Sequence, residues 1–490
     1  MIEKRNVQFL EGASPAKLAF YLCLFNLVLK LVLIPTNGAE YTDGILQITL
    51  FSSPNRLYPP LYTFLVTLLG PIFRNPELAG RFISAICGSL IVLPVFFLAR
   101  SLFNKQAAFF AGLIYTVSPV PLRWSLHAMT DSLFALLFFL AAFEIWRGFC
   151  PDSVNPGKRA IWGTVLAVLA TLTRYQGVLL FPPLVLMIIF LVRKRWRFLF
   201  PLLVQTLWLL PVFWMVFSGF RHPEQFAERA GGDFLSSLAN IGNLFESFLS
   251  YTPYFMIWPI FFLFLAGLFY LGWSDGRKRI FFGLFLYLAV FLLLLQSAFS
   301  SFQSRYQLPL GPFAAVFAGW GMETLRKKWE ARPLLFTLLF AVTIVYGMGF
   351  GLASVFLQRE VFRDIKEASL YLKNLPGETV IYSNEAYKDL GAVKMRYWSG
   401  RAILPYEGER DLPPGSVLCL SSAYGGARAF TGHRAWLRRK YGVKLLASFE
   451  CGIVPLLPDV MEEPVSHQNP LALTFRYTPQ HFRTEIYRIP

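Results

Sequence analysis

Charged residues are scarce in this sequence, and the acidic ones are the scarcest. Only 15% of the 490 residues are charged, and 29 aspartates and glutamates stand against 46 lysines and arginines. Hydrophobic residues make up 55% of the chain. They recur in runs near ~20 residues, the length that crosses a bilayer as a helix. This composition excludes an ordinary water-soluble domain and predicts a polytopic α-helical membrane protein.

Cysteine is also rare, and its spacing carries no metal motif. The five cysteines form no Cys-x-x-Cys pair and no metal-like cluster. Cys419 and Cys451 lie in the C-terminal tail, where one disulfide is open to them if the tail is outside the cytoplasm. No cleavable signal peptide is evident, because residues 1–17 are too polar and Leu18–Pro35 is typical of a retained first span.

The formal net charge of +17 does not indicate a nucleic-acid-binding protein. The basic residues cluster in short loops between the hydrophobic segments, at 158–159, 193–197, 277–279 and 326–328. This is the positive-inside pattern, which sets the orientation of the spans in the membrane. The bilayer is therefore the expected partner, and nucleic acid is not.

The hydrophobic segments predict eleven spans with the N-terminus in the cytoplasm. The spans are expected at about 18–36, 79–99, 106–122, 128–148, 160–173, 176–192, 198–218, 253–273, 280–298, 307–324 and 333–357. Every basic cluster then lies on the cytoplasmic side, and residues from 358 onward lie outside. Tyr58–Phe73 is too short and opens with a proline pair, so it is expected to lie along the membrane interface.

The chain is predicted to have two domains, a transmembrane domain at 1–357 with a first outer loop at 37–78, and a tail at 358–490. In the tail, helical and strand-like segments alternate, which predicts a small α/β domain outside the cell (inner) membrane. The helical segments are Asp364–Leu375 and Ala427–Lys440, and the strand-like ones are Thr379–Ser383, Ser416–Ser422, Lys444–Phe449 and Thr484–Ile489.

Two carboxylates follow the first span directly, in Asn37-Gly-Ala-Glu-Tyr-Thr-Asp43. Acidic groups at the mouth of a membrane bundle are costly to bury, which makes Glu40 and Asp43 a functional-site hypothesis. The alternative is a solvated loop with a helix-capping aspartate. Asp131, before a later span, has the same two interpretations, a cap or a site residue.

Several segments, in this order, resemble the GT-C glycosyltransferases. The pattern looks like the protein-mannosyltransferase and aminoarabinose-transferase branch, of the bacterial type with a C-terminal soluble domain. The matching stretches are Glu40-Tyr41 with Asp43, Tyr58-Pro-Pro-Leu-Tyr62, Glu77-Leu-Ala-Gly-Arg-Phe82, Leu122–Ser132, Thr173-Arg-Tyr-Gln-Gly177, Ser304-Arg-Tyr-Gln-Leu-Pro309 and Tyr397-Trp-Ser-Gly-Arg401. Many members open the loop with an Asp-Glu pair, where this chain has Asn37-Gly38, so the carboxylate role passes to Glu40 or Asp43.

The resemblance implies a membrane glycosyltransferase that moves a sugar from a polyprenyl-phosphate donor to a lipid, glycan or protein acceptor at the outer face. A carboxylate would take the proton of the acceptor, and arginines would stabilise the leaving phosphate. The catalytic candidates are Glu40, Asp43 and Asp131. The candidates for binding the donor phosphate are Arg174, Arg305 and Lys30. The candidates for binding substrate are His127, Tyr41, Tyr175 and Tyr306.

No cofactor is certain from the sequence. Carboxylates without histidine or cysteine companions fit a hard divalent cation or no metal. A transporter or flippase of a lipid-linked sugar is the alternative function, because many spans and intramembrane charge also suit transport. The absence of an inverted repeat and the one-sided soluble tail favour an enzyme. An inactive relative that serves as a binding scaffold also stays open, because of Asn37.

Overall fold

The structure is a computed structural model of the chain. It describes residues 14–52, 58–194, 234–299, 303–385, 391–406, 411–424, 426–454, 456 and 480–490.

The membrane part is built of helices that follow one another with short connections. In chain order they are α1 (Pro15–Leu33), α2 (Thr42–Ile48), α3 (Leu61–Phe73), α4 (Pro76–Leu90), α5 (Val92–Leu102), α6 (Lys105–Val117), α7 (Pro119–Trp124), α8 (Asp131–Phe149), α9 (Pro156–Thr171), α10 (Phe181–Lys194), α11 (Phe234–Met256), α12 (Trp258–Phe269), α13 (Gly276–Phe299), α14 (Gly311–Lys328) and α15 (Pro333–Leu357). Short 3-10 segments lie at Ile34–Thr36, Tyr175–Leu180 and Ser304–Leu310.

Local sequence fixes where the helix nearest the first outer loop begins. The side chain of Asn75 accepts hydrogen bonds from the backbone N–H groups of Glu77 and Leu78, and Pro76 follows at the first helical position. Asparagine is a preferred N-cap, and proline loses nothing at a position whose N–H has no helical partner. The start of α4 is therefore well defined, and its first two turns carry Glu77 and Arg81.

Each predicted span coincides with helical structure, except 198–218, which lies outside the described residues. In the described part of the chain, six helices are long and apolar enough to cross a membrane, or up to seven if one bent pair is a single span. Others are shorter: α6 has 13 residues and α9 has 16. The polytopic helical class is confirmed, and the count of eleven spans stays a prediction.

The predicted span at 253–273 is broken in the structure. The axes of α11 and α12 meet at 108°, and Ile257 between them has a φ of 61°. Pro259 follows in the first turn of α12. Proline cannot donate the hydrogen bond that would continue α11, but it fits the start of a new helix. The hydrophobic pattern gave no sign of this break, because both halves are apolar.

Glycines allow α12 and α14 to pack backbone against backbone. A Cβ added to Gly267 would lie 1.9 Å from the carbonyl oxygen of Phe317, and one added to Gly321 would lie 2.1 Å from that of Leu263. Small residues at such contacts are the usual means of close helix packing in membranes.

The tail forms a small α/β domain around one five-stranded sheet. Its elements are α16 (Arg363–Lys373), β1 (Ile381–Ser383), α17 (Val393–Ser399), β2 (Ile403–Pro405), β3 (Val417–Ser421), α18 (Gly426–Tyr441), β4 (Lys444–Ile453) and β5 (Gln480–Arg488). The strand order is β2-β1-β3-β5-β4, parallel among the first three and antiparallel for the last two pairings.

The α/β class predicted for the tail is confirmed, and every predicted helix and strand is present. The sequence missed α17 and β2, which have seven and three residues, too few to show a period. The disulfide considered between Cys419 and Cys451 is not formed, because both are buried free thiols. The Cys451 thiol instead donates a hydrogen bond to Asp364 at 3.3 Å.

The first outer loop is part of the core of the tail domain. Ala39, Ile45 and Leu46 are buried in one cluster with Ile365 and Trp398 of the tail. Burial of apolar surface is the main force that holds such elements together. The loop that carries the candidate carboxylates is thus held by both parts of the chain.

Candidate active site

Glu40 lies in the first outer loop and is fully buried. The guanidinium of Arg81 binds one carboxylate oxygen through Nε. The other oxygen accepts a hydrogen bond from the backbone N–H of Ala128 at 3.2 Å and lies 3.3 Å from Nδ1 of His127. Both oxygens of Glu40 therefore have partners supplied by the protein.

This environment keeps Glu40 ionised. Burial raises the pKa of its carboxyl, but Arg81 and His127 outweigh burial and lower the pKa from 4.5 to about 2. Burial in turn lowers the pKa of His127. A buried carboxylate with no exposed surface is suited to holding the loop rather than to taking a proton from an acceptor that arrives from water.

Tyr41 and His127 pack together beside Glu40. The Tyr41 hydroxyl accepts a hydrogen bond from Arg123 at 2.9 Å. Its ring centroid lies 5.2 Å from that of Trp124, 5.1 Å from that of His127 and 5.6 Å from that of Phe362. Both side chains are buried, so they support the loop from inside.

Asn37 begins the first outer loop and anchors it. Its side-chain amide donates to the carbonyl of Leu126 at 2.9 Å, and its own backbone carbonyl accepts from Arg81 at 2.8 Å. The residue is buried, and both contacts hold the loop.

Asp43 differs from Glu40 because it reaches solvent. Its side chain is 19% exposed in the first turn of α2, and its carboxylate binds the guanidinium of Arg305. Arg305 is buried and lies 5.6 Å from the ring centroid of Trp124 and 5.0 Å from that of Tyr306. Its Nε has no hydrogen-bond partner within the described residues. The arginine thus keeps one N–H for a further acceptor.

Asp131 and Arg174 form a second pair of the same kind. Asp131 lies in the first turn of α8, and its Oδ1 binds the guanidinium of Arg174. The other oxygen, Oδ2, is buried without a hydrogen-bond partner in the part of the chain that the structure describes. The Arg174 guanidinium carbon lies 5.5 Å from the ring centroid of Tyr306.

Tyr306 joins the two pairs, since both guanidinium groups lie on its ring. We call these five residues the paired cluster: Asp43, Arg305, Tyr306, Arg174 and Asp131. Two guanidinium groups on the same tyrosine ring can bind an anion between them. The planar guanidinium of arginine matches the geometry of phosphate oxygens. The carboxylates beside them provide a proton acceptor. The cluster therefore combines cationic groups that can bind an anion with carboxylates that can accept a proton.

Comparisons with known proteins indicate which family and fold the chain is similar to. The sequence profile of the dolichyl-phosphate-mannose-protein mannosyltransferase family matches residues 58–217, which include Asp131 and Arg174. A search of curated protein sequences finds no match.

Solved structures show the same fold. ArnT from Cupriavidus metallidurans in the apo state is similar, with a TM-score of 0.58 and 16% identity over 89% of this chain and 97% of that one. The same protein bound to undecaprenyl phosphate gives 0.56 and 15%, over 87% and 96%. The archaeal oligosaccharyltransferase AglB from Archaeoglobus fulgidus, in complex with an inhibitory peptide and a dolichol-phosphate, gives 0.51 and 14%, over 86% and 68%.

The chain has the GT-C fold. The resemblance predicted from the sequence is thereby confirmed.

Lys30 and Tyr175 are the two remaining residues predicted from the sequence. Lys30 is buried in α1, and its ammonium makes no hydrogen bond within the described residues. It lies against Gly88 of α4, where an added Cβ would come 2.9 Å from its Nζ. Tyr175 follows Arg174 directly and is half-buried. Their roles in binding phosphate and substrate stay predictions.

Sequence reasoning missed the importance of Glu77 and Arg81, although their spacing carried a signal. Opposite charges four residues apart lie on one face of a helix. Because charge at the start of a membrane span is costly, such a pair indicates a functional or structural role. In the structure, Arg81 binds Glu40, and its Nη2 lies 3.6 Å from Glu77. The pair supports the loop that carries Asp43.

The possible divalent cation finds no prepared ligand set in the described residues. They contain no group of three or more His, Cys, Asp and Glu side chains that could hold a metal ion. Asp43 and Asp131 each bind an arginine, so a cation there would have to displace a guanidinium group.

Proposed function

We propose that this protein is a glycosyltransferase that moves a sugar from a polyprenyl-phosphate donor to a hydroxyl of a lipid, glycan or protein acceptor at the outer face of the membrane. The observation that carries the proposal is the paired cluster, two Asp–Arg pairs joined by Tyr306. The solved relative bound to undecaprenyl phosphate supports a lipid-phosphate ligand.

Asp43 is our candidate for the general base. It is the partly exposed carboxylate of the first outer loop, whereas Glu40 is buried with both oxygens occupied. The acceptor hydroxyl enters from water and gives its proton to Asp43, while its oxygen bonds to the anomeric carbon of the sugar. General-base catalysis of this kind typically contributes ~10²–10⁴-fold.

Arg305 and Arg174 are our candidates for the leaving group. As the bond between the anomeric carbon and the phosphate oxygen breaks, its electron pair stays on the lipid phosphate. The Nε of Arg305, which has no hydrogen-bond partner among the described residues, gives that charge a donor. A phosphate that engages Arg305 also weakens the hold of the arginine on Asp43, which frees the carboxylate to accept the proton.

Asp131 holds Arg174 beside Tyr306, so its first role in the proposal is to orient the second guanidinium group. Its Oδ2 has no partner in the described part of the protein, and this oxygen is our alternative proton acceptor if Asp43 is dispensable.

The orientation in the membrane is part of the proposal. Residues 1–357 form the transmembrane glycosyltransferase domain and residues 358–490 an extracytoplasmic domain of a multi-pass protein of the cell (inner) membrane. The positive-inside pattern supports this sidedness. In this orientation, the paired cluster lies at the outer face of the membrane, next to α2 and the tail domain.

The test is a transfer assay with purified protein in liposomes that contain polyprenyl-phosphate sugars. Asp43→Asn keeps the shape of the side chain and removes its basicity, so we expect turnover to fall about 10²–10⁴-fold while polyprenyl phosphate still binds. Glu144→Gln, in a partly buried ion pair with Arg159 away from the cluster, serves as the control.

Formation of a new glycosidic bond separates transfer from transport. A transporter or flippase would move the labelled lipid between leaflets and form no glycosylated product. Full transfer by Asp43→Asn would remove this residue from the base role. Asp131→Asn would then be the next variant to measure.

A further inference from the structure

The tail domain contacts the first residues of the first outer loop at two points. The backbone N–H of Gly38 donates to the carbonyl of Arg359 at 3.0 Å. Four residues further along the chain, Oγ1 of Thr42 accepts a hydrogen bond from the ammonium of Lys394 in α17 at 2.9 Å. Thr42 is the residue before Asp43 and the first residue of α2.

Lys394 is buried and held in one place. Its ammonium also donates to the hydroxyl of Tyr424 and lies 3.8 Å from the carboxylate of Glu385. Glu385 in turn accepts the backbone N–H groups of Lys394 and Met395, both at 2.9 Å. The ring of Phe362 lies 3.9 Å from the ammonium.

These contacts have an energetic consequence. A buried ammonium is unfavourable unless its hydrogen bonds and its charge are satisfied, and here its own domain supplies a tyrosine, a carboxylate and a ring. One of its hydrogen bonds crosses to Thr42 in the first outer loop. Because the ammonium is held by these groups, its hydrogen bond fixes both the position and the orientation of Thr42.

The helix that receives this contact cannot hold its own orientation. α2 has seven residues, and isolated helices of that length are unstable in water. Its first turn carries Asp43, whose carboxylate must face Arg305. The direction of that turn therefore depends on what packs against it.

We infer that Lys394 is a positioning residue for the transfer reaction: through Thr42 it fixes the first turn of α2, so that the Asp43 carboxylate faces the acceptor and Arg305. The inference rests on the proposed function and adds to it that the soluble domain supplies part of the active-site geometry. Lys394 itself touches no reacting atom.

The experiment is a double-mutant cycle on the full-length protein in liposomes. Thr42→Val removes the hydroxyl at nearly constant volume, Lys394→Met removes the ammonium, and Thr42→Ser keeps the hydroxyl. A hydrogen bond to a charged group corresponds to about 10–100-fold, so we expect each of the first two variants to lower kcat by that amount, with little change in the KM for donor.

The remaining variants make the result specific. Thr42→Ser should keep most of the turnover. The double variant should be no slower than the slower single variant, because both remove the same contact. Lys373→Met, at an exposed lysine of α16, is the matched control and should turn over as the unchanged protein does. Full turnover in Thr42→Val and Lys394→Met, or losses that multiply in the double variant, would overturn the inference.

Amide hydrogen exchange separates this inference from the proposed function. We expect faster exchange in residues 39–48 for Lys394→Met but not for Lys373→Met, whatever the protein transfers. Equal exchange in the two variants overturns the positioning role. Absence of transfer by the unchanged protein with every polyprenyl-phosphate sugar overturns the proposed function, and the exchange result then still decides whether Lys394 holds the loop.

Discussion

At the scale of single residues, the carboxylates of Glu40 and Asp43 lie in opposite environments. Glu40 is buried and bound to Arg81, while Asp43 is partly exposed and bound to Arg305. Breaking a buried ion pair from one side leaves an uncompensated charge and is strongly destabilising. The two positions should therefore fail in different ways when their charge is removed.

We expect Glu40→Gln to lower the free energy of unfolding by about 3–5 kcal/mol at neutral pH, because Arg81 stays buried and charged. The folded pKa of Glu40 is lowered from 4.5 to about 2. Its contribution is therefore present above pH 4.5 and is lost as the pH falls toward 2. Thermal unfolding in detergent between pH 7 and pH 3 should show a loss of stability for the unchanged protein and a smaller loss for the variant.

A stable Glu40→Gln protein would contradict this assignment. If it also bound donor normally but transferred sugar about 10²-fold more slowly, Glu40 and not Asp43 would be the better candidate for the base.

Arg305→Ala should weaken both donor binding and turnover. The contact with phosphate exists in the ground state as well as in the transition state, so both quantities change. The loss of a charge-assisted hydrogen bond corresponds to about 10–100-fold in affinity for polyprenyl phosphate, measured by binding to the purified protein. Arg439→Ala, at an exposed arginine of α18, should change neither. Unchanged affinity in Arg305→Ala would place the phosphate elsewhere.

The sequence predicted the members of the paired cluster but not its arrangement. Asp43, Asp131, Arg174, Arg305 and Tyr306 were all candidates, and the structure brings them together. Sequence reasoning gave no ground for preferring Asp43 to Glu40 as the candidate base, because the ion pair that buries Glu40 is made with Arg81 of another helix. A pattern along the chain reports spacing and does not report which distant side chain completes a contact.

At the scale of elements, close contact between α12 and α14 depends on the absence of side chains. We expect Gly321→Ala to lower the melting temperature in detergent, because its Cβ would overlap the carbonyl oxygen of Leu263. Such overpacking typically costs about 1–3 kcal/mol.

Gly349→Ala in α15 is the matched control. A Cβ there meets no atom within 4 Å, so the higher helix propensity of alanine should leave stability equal or slightly greater. Equal melting temperatures for the two variants would show that α12 and α14 can move apart without a loss of stability.

Long periodic elements were predicted well and short or broken ones were not. α16 and α18 show helical periodicity, whereas the three residues of β2 show none. The break between α11 and α12 coincides with the positive φ of Ile257, a strained conformation for a β-branched residue that hydrophobic periodicity does not report.

At the scale of the whole molecule, the proposed sidedness of the protein rests on its basic loops. We expect a membrane-impermeant maleimide to label Gly377→Cys in intact cells stripped of their outer layers, since this exposed position lies in the tail. Lys158→Cys should react only after the membrane is opened. The native cysteines are buried and give a low background. Labelling of Lys158→Cys before opening would reverse the proposed orientation.

The shared core of the first outer loop and the tail limits how such a protein can diversify. Ala39, Ile45 and Leu46 of the loop are buried in one cluster with Ile365 and Trp398 of the tail. The loop would therefore leave apolar residues exposed if the tail were replaced by one of different shape. A chimaera that exchanges the tail for that of a relative should fail to fold unless residues 37–48 are exchanged with it. In the proposed function, any contribution of the tail to acceptor preference would then be inherited together with the first outer loop.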